Sequence, residues 1–431
     1  MDGDRLEKLN NLRERVLIVG LALEDDPVEI EVSLDELQEL VHAAGGVVIS
    51  RVIQRRESIN PAYFIGKGKA EEIKLYCQEL DIDTVVFNDE LSGAQLRNLE
   101  KIIDRKIVDR TNLILDIFAT RAVSKEGKLQ VKLAQLKYRL PRLVGMRDYL
   151  SREGGGIGTR GPGEQKLETD RRHILREIKN IERHLKDIEA NRDIKRRKRI
   201  DSNLPIVALV GYTNAGKSTL LNKLMEDEDR GKEVFVKDML FATLDTSLRR
   251  GRLPKGQVYL LTDTVGFVSK LPTHLVEAFK GTMEETVYAD LILHVVDASN
   301  KDIDIQIKTT LDVLKDLEVL DKPMITVFNK MDKVDIGKLI YDSKLVGDKI
   351  FISAKNDINI DELKEMIQEK LPQEFKFVKM RIPYDEQAIL DYMMTNYEIK
   401  DLQHEADGTY FNLHINLVDF NRYRDYIIEI N

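Results

Sequence analysis

The sequence predicts an α/β protein centred on a doubly wound, mostly parallel sheet at residues 201–372. Three observations lead there. From Ile206 to about Leu371, the apolar runs "IVALVGY", "VYLLTDT", "DLILHVVDAS", "PMITVFNK" and "KIFISAK" alternate with helix-like stretches. That is the rhythm of a sheet covered by helices on both faces. Ahead of it, leucines and isoleucines keep the 3-4 spacing of two helices that pair along one seam. Shorter strand and helix patterns flank these regions. The expected order is an α/β domain (1–110), an antiparallel helical hairpin (111–200), the doubly wound domain (201–372) and a small α+β domain (373–431).

The 431 residues suffice for about three domains. Cys77 is the only cysteine, which excludes a disulfide framework and a cysteine-based metal site and fits a reducing cytosol. "VLIVGLAL" after a charged start faintly resembles a signal peptide, but acidic "EDDPVEIE" follows with no small-residue cleavage site, so a buried strand is expected. No apolar run approaches the ~20 residues needed to cross a bilayer. A cytoplasmic protein is expected.

In the first domain, "RVLIVGLAL", "GGVVISRVIQ" and "DTVVFND" read as strands, and "KAEEIKLYCQEL" as a helix. "SLDELQELVHAAG" reads as another helix, with Ser33 as N-cap and Gly45 closing it. In the hairpin, Leu129, Leu133, Leu136, Leu140 and Leu143 form one seam, with Pro141 expected to end or kink that helix near its C-terminus. Leu167, Arg171, Ile174, Ile178, Ile181, Leu185 and Ile188 form the facing seam, with Arg171 at one seam position. The tail from Phe375 reads as strand, helix, two strands and a short last element.

Charge is uneven along the chain. The net value is −8, yet residues 121–200 hold 23 Lys and Arg against 11 Asp and Glu, so the remainder sits near −20. The excess favours an anionic partner, nucleic acid first, over a merely solvated helical surface.

Two glycine-rich stretches suggest phosphate binding. "GYTNAGKST" places Gly211-x-x-x-x-Gly216-Lys217-Ser218 directly after a strand and at the start of a helix. There, backbone N–H groups from Gly211 through Tyr212, Thr213, Asn214, Ala215 and Gly216 can wrap phosphates, with Thr219 one residue into the helix. Lys217 is expected to reach the β- and γ-phosphates, and the Ser218 hydroxyl to ligate Mg²⁺. "LLTDTVGF" supplies Asp263, expected to hold Mg²⁺ through water, and Gly266, whose N–H can sense the γ-phosphate. "FATLDT" offers Thr243 as a switch threonine over the metal, with Thr246 as a competitor. In "FNKMD", Asp332 can accept from the ring N–H and the exocyclic amine of guanine, while Asn329 braces the loop and Lys330 lies along the base plane. "ISAK" adds Ser353, Ala354 and Lys355, with a backbone N–H near Ala354 for guanine O6. The expected ligands are GTP and GDP with Mg²⁺.

The other stretch, "GGGIGTRGPGE" from Gly154 to Glu164, has a G-x-G-x-x-G spacing but fails its context test. It follows a helix rather than a strand, and no acidic residue ends a second strand about twenty positions on. It reads as a flexible hinge or as a fingertip whose backbone presses against RNA, carrying Arg152, Gly154, Gly155, Gly156, Arg160 and Gly161, with Arg171 and Arg172 behind it.

Together, "GGGIGTRGPGEQKLETDRR", "GYTNAGKSTL", "FATLDT", "DTVGFV" and "NKMD" closely resemble the HflX family of translational GTPases, along essentially the whole chain except a variable tail. The resemblance implies a partner in the large (50S) ribosomal subunit and 23S rRNA near the peptidyl transferase centre. It further implies splitting of idle or stalled 70S ribosomes under heat or other stress, by a protein expected to be monomeric. Phe267 stands where Ras-like enzymes keep a glutamine that orients the attacking water, so slow unaided hydrolysis that the large subunit stimulates is expected. Asn214 sits where potassium-activated GTPases keep an asparagine beside K⁺, although an ordinary loop side chain fits equally well. Two other readings stay open, a GTP-dependent 50S assembly or RNA-remodelling factor and a nucleotide-dependent protein regulator without an RNA role.

Overall fold

The computed structural model describes residues 13–23, 27–144, 162–200, 204–225, 248–254, 257–264, 266–269, 283, 286–334, 347–371 and 375–430. The chain divides into two compact units.

The first unit opens with a four-stranded parallel sheet, β1 (Arg15–Leu23), β2 (Val47–Arg56), β3 (Thr84–Phe87) and β4 (Lys106–Asp109), in the order β2-β1-β3-β4. Helices α1 (Pro27–Ala43), α2 (Lys67–Glu79) and α3 (Gly93–Ile103) connect the strands. Central β1 is apolar along its length because both its faces are covered, and Leu17, Ile18 and Val19 are fully buried. Helix α1 begins earlier than its Ser33 cap predicts. Pro27 presets the helical φ at the first position, and buried Ser33 finds a partner outside its own helix, accepting a hydrogen bond from Asn88 Nδ2 at 2.9 Å. Gly45, at φ +93°, ends that helix as expected.

Asp109 caps α4 (Arg110–Arg121) by accepting from the Asn112 amide at 2.9 Å. This fully buried carboxylate also accepts from the Leu91 amide at 2.9 Å and the Tyr138 hydroxyl at 2.5 Å, and pairs with Arg142 at 3.2 Å. Those charge-assisted bonds offset its desolvation, and burial beside Asp109 drives the Tyr138 phenol far above its ordinary range. Tyr138 and Arg142 belong to α5 (Lys125–Val144), the first arm of the hairpin. Pro141 lies inside the last turn of α5, which continues to Val144. A proline there still removes the bond its amide would give the Lys137 carbonyl, but with three residues beyond it a kink redirects little of the helix.

The second arm, α6, runs from Pro162 to Ile200. Leu133 and Leu136 pack against Ile174, Ile178 and Ile181, with Leu129, Leu140, Leu143 and Leu185 alongside, so the two seams meet. Lys132 pairs with Glu177, and Lys137 with Glu182 at 3.2 Å. Arg171 leaves the seam, its side chain 47% exposed and 3.8 Å from Glu168. A guanidinium between apolar arms would lose hydration without a partner, whereas the helix surface supplies both water and a carboxylate.

The second unit contains the doubly wound sheet, β5 (Ile206–Gly211), β6 (Leu248–Arg252), β7 (Val258–Asp263), β8 (Leu291–Asp297), β9 (Met324–Asn329) and β10 (Asp348–Phe351). Its order is β10-β9-β8-β5-β7-β6, parallel throughout except for edge strand β6. Leu220, Leu221 and Leu224 of α7 (Lys217–Leu224) and Leu363 and Ile367 of α9 (Ile360–Lys370) pack with Leu209, Leu293, Val295 and Val327 of the strands. Ile307 of α8 (Ile303–Asp316) packs on Val296 and Phe328, residues of opposite parity and hence of the other face.

A smaller sheet follows, with strands β11 (Phe375–Ile382), β12 (Lys400–Glu405), β13 (Gly408–Asn416) and β14 (Ile427–Ile430) and helices α10 (Gln387–Asn396) and α11 (Leu417–Arg422). The predicted short last element is thus a helix and an edge strand. Among the described residues no helix is long and apolar enough to cross a membrane.

Candidate nucleotide-binding site

The candidate site gathers where β5, β7, β8 and β9 end, the crevice that open α/β sheets use for ligands. Strand β5 stops at Gly211, and the chain turns into α7 within six residues. The turn depends on glycine. At Gly211, φ is +151° and an added Cβ would lie 2.1 Å from the Val295 carbonyl oxygen. At Gly216, φ is +92° and a Cβ would lie 2.2 Å from Asn329 Nδ2. Neither position admits a side chain. Between them, Tyr212, Thr213 and Ala215 are buried, while Asn214 is exposed with φ +61°.

Lys217 opens α7 with its ammonium buried. It donates to the carbonyls of Gly211 at 3.0 Å and Tyr212 at 2.8 Å. Burial lowers its pKa to about 8, against the opposing pull of Asp263. One residue on, the Ser218 hydroxyl donates to Asp263 Oδ2 at 2.9 Å, and Thr219 is half-buried. The two predicted metal-binding side chains on β7 and α7 therefore touch. Gly266 lies close to the glycine loop and to the lysine, since a Cβ there would sit 2.7 Å from Thr213 Cγ2 and 3.0 Å from Lys217 Nζ.

Phe267 is 1% exposed. Its amide donates to Gly211 O at 3.2 Å and its carbonyl accepts from the Thr213 amide at 2.8 Å, stitching the DTVGF segment to the phosphate loop. The side chain is a packing group and offers no hydrogen bond to water.

The elements expected to read the base converge on Asn329, at the end of β9. Its Nδ2 donates to the Ala215 carbonyl at 2.9 Å, and its Oδ1 accepts from the Ala354 amide at 3.0 Å. The amide expected to reach guanine O6 thus braces Asn329. Asp332 stands exposed in a short 3₁₀ turn and accepts from the Ser353 hydroxyl at 2.5 Å, which holds its carboxyl below the ordinary range. Lys330, at φ +65°, pairs with Asp297 at 2.8 Å, and Lys355 is exposed.

Sequence reasoning missed Asp297. It ends β8 beside the site, fixes Lys330 and also accepts from the Ser299 hydroxyl at 2.6 Å. Its place at a strand's carboxyl end was the available signal. Thr264, buried inside the DTVG stretch, donates to Leu209 O at 2.8 Å and anchors that segment to β5.

The structure does not bring every predicted residue here. Thr243 lies outside the described residues, as do Arg152, Gly154, Gly155, Gly156, Arg160 and Gly161 of the fingertip. Arg171 and Arg172 stand on the exposed surface of α6, and both approach Glu168.

Three family models match in succession, GTP-binding GTPase N-terminal over residues 31–119, GTP-binding GTPase Middle Region over 121–199 and 50S ribosome-binding GTPase over 206–330. GTPase HflX of Caldanaerobacter subterraneus subsp. tengcongensis is 48% identical over 426 residues, covering 99% of this chain and 96% of that protein. GTPase HflX of Escherichia coli K12 is 39% identical over 392 residues, covering 90% and 91% respectively. Among solved structures, a GTP-binding protein from Sulfolobus solfataricus in complex with GDP is 24% identical, covering 83% of this chain and 98% of that one, with a TM-score of 0.43. The glycine cradle, the buried lysine and the serine–aspartate pair come with sequence likeness along nearly the whole chain, and the protein belongs to the HflX family of GTPases.

Proposed function

We propose that this GTPase binds the large ribosomal subunit in the cytoplasm and splits idle or stalled 70S ribosomes under heat or other stress. The observation that carries the nucleotide half is Asn329, whose one carboxamide holds the phosphate loop and the base-reading turn together. The match to the 50S ribosome-binding GTPase model and the net positive charge of residues 121–200 support the ribosomal half.

Phosphates of GTP lie in the Gly211–Ser218 turn, where Lys217 leaves its carbonyl partners to meet the β- and γ-oxygens. Asp332 accepts from guanine, and the Ser353–Lys355 turn borders O6. The donor set of Ser218, Asp263 and Thr243, all oxygen, suits Mg²⁺. An ion held by these oxygens would supply positive charge against that developing on the transferred phosphoryl group. K⁺ is the further cation to test, at Asn214. Phe267 positions no water, so hydrolysis waits for a group or an ordering contact from the subunit.

The fingertip from Arg152 to Gly161, with Arg171 and Arg172 behind it, grips 23S rRNA near the peptidyl transferase centre, the protein acting as a monomer. Sedimentation of 70S ribosomes with the protein and GTP, or a non-hydrolysable analogue, tests the reading. Subunit separation supports it, whereas binding to 50S particles with intact 70S peaks leaves an assembly role in its place. Turnover should rise with 50S subunits, and equal rates with and without them would refute the stimulation.

A further inference from the structure

The C-terminal sheet has a feature the nucleotide site does not use. Its chain order is β-α-β-β-α-β with spatial order β12-β13-β11-β14, so the first and third strands, β11 and β13, lie in the centre. Val378, Met380 and Ile382 of β11 and Phe411, Leu413 and Ile415 of β13 point to the face where Leu390 and Met393 of α10 and Phe420 of α11 form a core.

Alternation puts Phe377, Lys379 and Arg381, with Tyr410, Asn412 and His414, on the other face, where they are partly or fully exposed. These six sit directly opposite one another as Phe377–His414, Lys379–Asn412 and Arg381–Tyr410. The Phe377 and His414 rings lie 4.8 Å apart at a 46° tilt, and Lys379 Nζ stands 5.9 Å from the Tyr410 ring centre.

We propose that this open face binds an unpaired RNA strand, with Phe377, His414 and Tyr410 stacking on bases and Lys379 and Arg381 meeting the phosphates between them. A four-stranded sheet with ring side chains on its two central strands is a recurrent platform for splayed bases. Fold alone does not establish this use, and the side chains decide it. The central strands offer three π-faces, two cations and a carboxamide, without a carboxylate or an aliphatic side chain. A protein partner would call for an apolar centre, whereas the exposed aliphatics Leu402, Ile428 and Ile430 stand on the edge strands. Two of the nearby acids pair with residues of this face, while Glu405 and Glu429 border it through the register of the edge strands. Asp407 accepts from Arg381 at 2.9 Å and from Tyr410, Asp401 accepts from Asn412 at 2.9 Å, and Glu429 faces Lys379 across the strands.

The test uses full-length protein carrying Arg152→Glu and Arg160→Glu, which reverses the charge of the fingertip proposed above and weakens its share of the binding. A fluorescein-labelled single-stranded RNA decamer is titrated and followed by anisotropy, with the same sequence as a duplex in a second arm. Binding of the single strand, weakened about tenfold or more by Phe377→Ala or Tyr410→Ala and retained in Phe377→Tyr and Tyr410→Phe, is the expected result. Basal GTP turnover and the melting temperature confirm that each variant is folded. Competition by deproteinised ribosomal RNA or by a message-like strand supports the proposal either way and tells the two sources apart. Equal affinity for the duplex, unaltered affinity in the alanine variants, or photo-crosslinks confined to residues before Phe375 would overturn it. So would quenching of the site by a bound protein in place of RNA.

Discussion

Asn329 donates to the carbonyl oxygen of Ala215 across 2.9 Å, from a loop 114 residues further along the chain. The bond joins the loop proposed to read the base to the turn proposed to wrap the phosphates. Both groups are buried, as is the Ala354 amide on the other side of the carboxamide. Asn329→Ala therefore leaves a buried acceptor and a buried donor unmade, at about 1–3 kcal/mol each. Denaturant unfolding should show a loss of about 2–6 kcal/mol. Inorganic pyrophosphate, which has no base, should also bind the variant more weakly. An unaltered pyrophosphate affinity would sever the proposed link between the two loops.

Lys217 makes nucleotide affinity depend on pH. Its pKa is lowered from 10.5 to about 8 by burial, which Asp263 opposes. Without nucleotide, the folded protein releases this proton near pH 8, whereas the unfolded chain keeps it to pH 10.5. Between those values the unfolded state binds more protons, so the nucleotide-free protein gains stability as pH rises. Phosphates need the charged form, so GDP affinity moves the other way. From pH 7 to 8.5, low enough for guanine N1 to keep its proton, the Kd should rise about threefold to fourfold. Isothermal titration in buffers of different ionisation heat should register proton uptake at the higher pH. A flat profile would mean that Lys217 stays charged throughout.

On the proposed reading, Asp332 selects the base. Its exposed carboxylate is held by the Ser353 hydroxyl at 2.5 Å. Asp332→Asn replaces an acceptor-only group with one that also donates. Guanine then loses charge-assisted bonds of about 1.5–3 kcal/mol, a fall of about tenfold to a hundredfold in GTP affinity. Xanthine, with a carbonyl where guanine has its exocyclic amine, should bind better than to the parent. Competition between GTP and xanthosine triphosphate measures both changes. Parallel losses for the two nucleotides would move base reading away from this residue.

Much of this site was legible because its chemistry is local in sequence. Gly211, Gly216, Lys217 and Ser218 fall within eight residues, and the strand and helix on either side announce themselves by apolar content. The hairpin seams were equally legible, since heptad spacing fixes which residues face inward. What escaped depends on distant partners. Ser33 resembles a helix cap until Asn88, 55 residues away, engages its hydroxyl. Arg171 fits the seam by spacing, but a guanidinium seeks water and Glu168 instead. Nothing near Asp297 in the sequence shows that Lys330 will lie across from it. The open face of the C-terminal sheet likewise exists only once β11 and β13 pair in register.

His294 sets the response to acid. It sits in the middle of β8, opposite Val210 of β5 and Thr326 of β9, with 1% exposure and no partner on Nδ1. Burial, aided by the charge on Lys217, lowers its pKa from 6.5 to about 4. The unfolded chain therefore takes up this proton first on acidification. The stability of the neutral form is complete above pH 6.5, declines through the window below it and is lost by about pH 4. Two and a half pKa steps correspond to about 3 kcal/mol. His294→Leu, which fills the same apolar position without a proton to bind, should flatten that part of the curve. Stability of the two proteins, measured by urea unfolding at intervals from pH 7 to 4, should diverge steadily in favour of the variant. Parallel curves would show that His294 does not take up a proton on unfolding in this range.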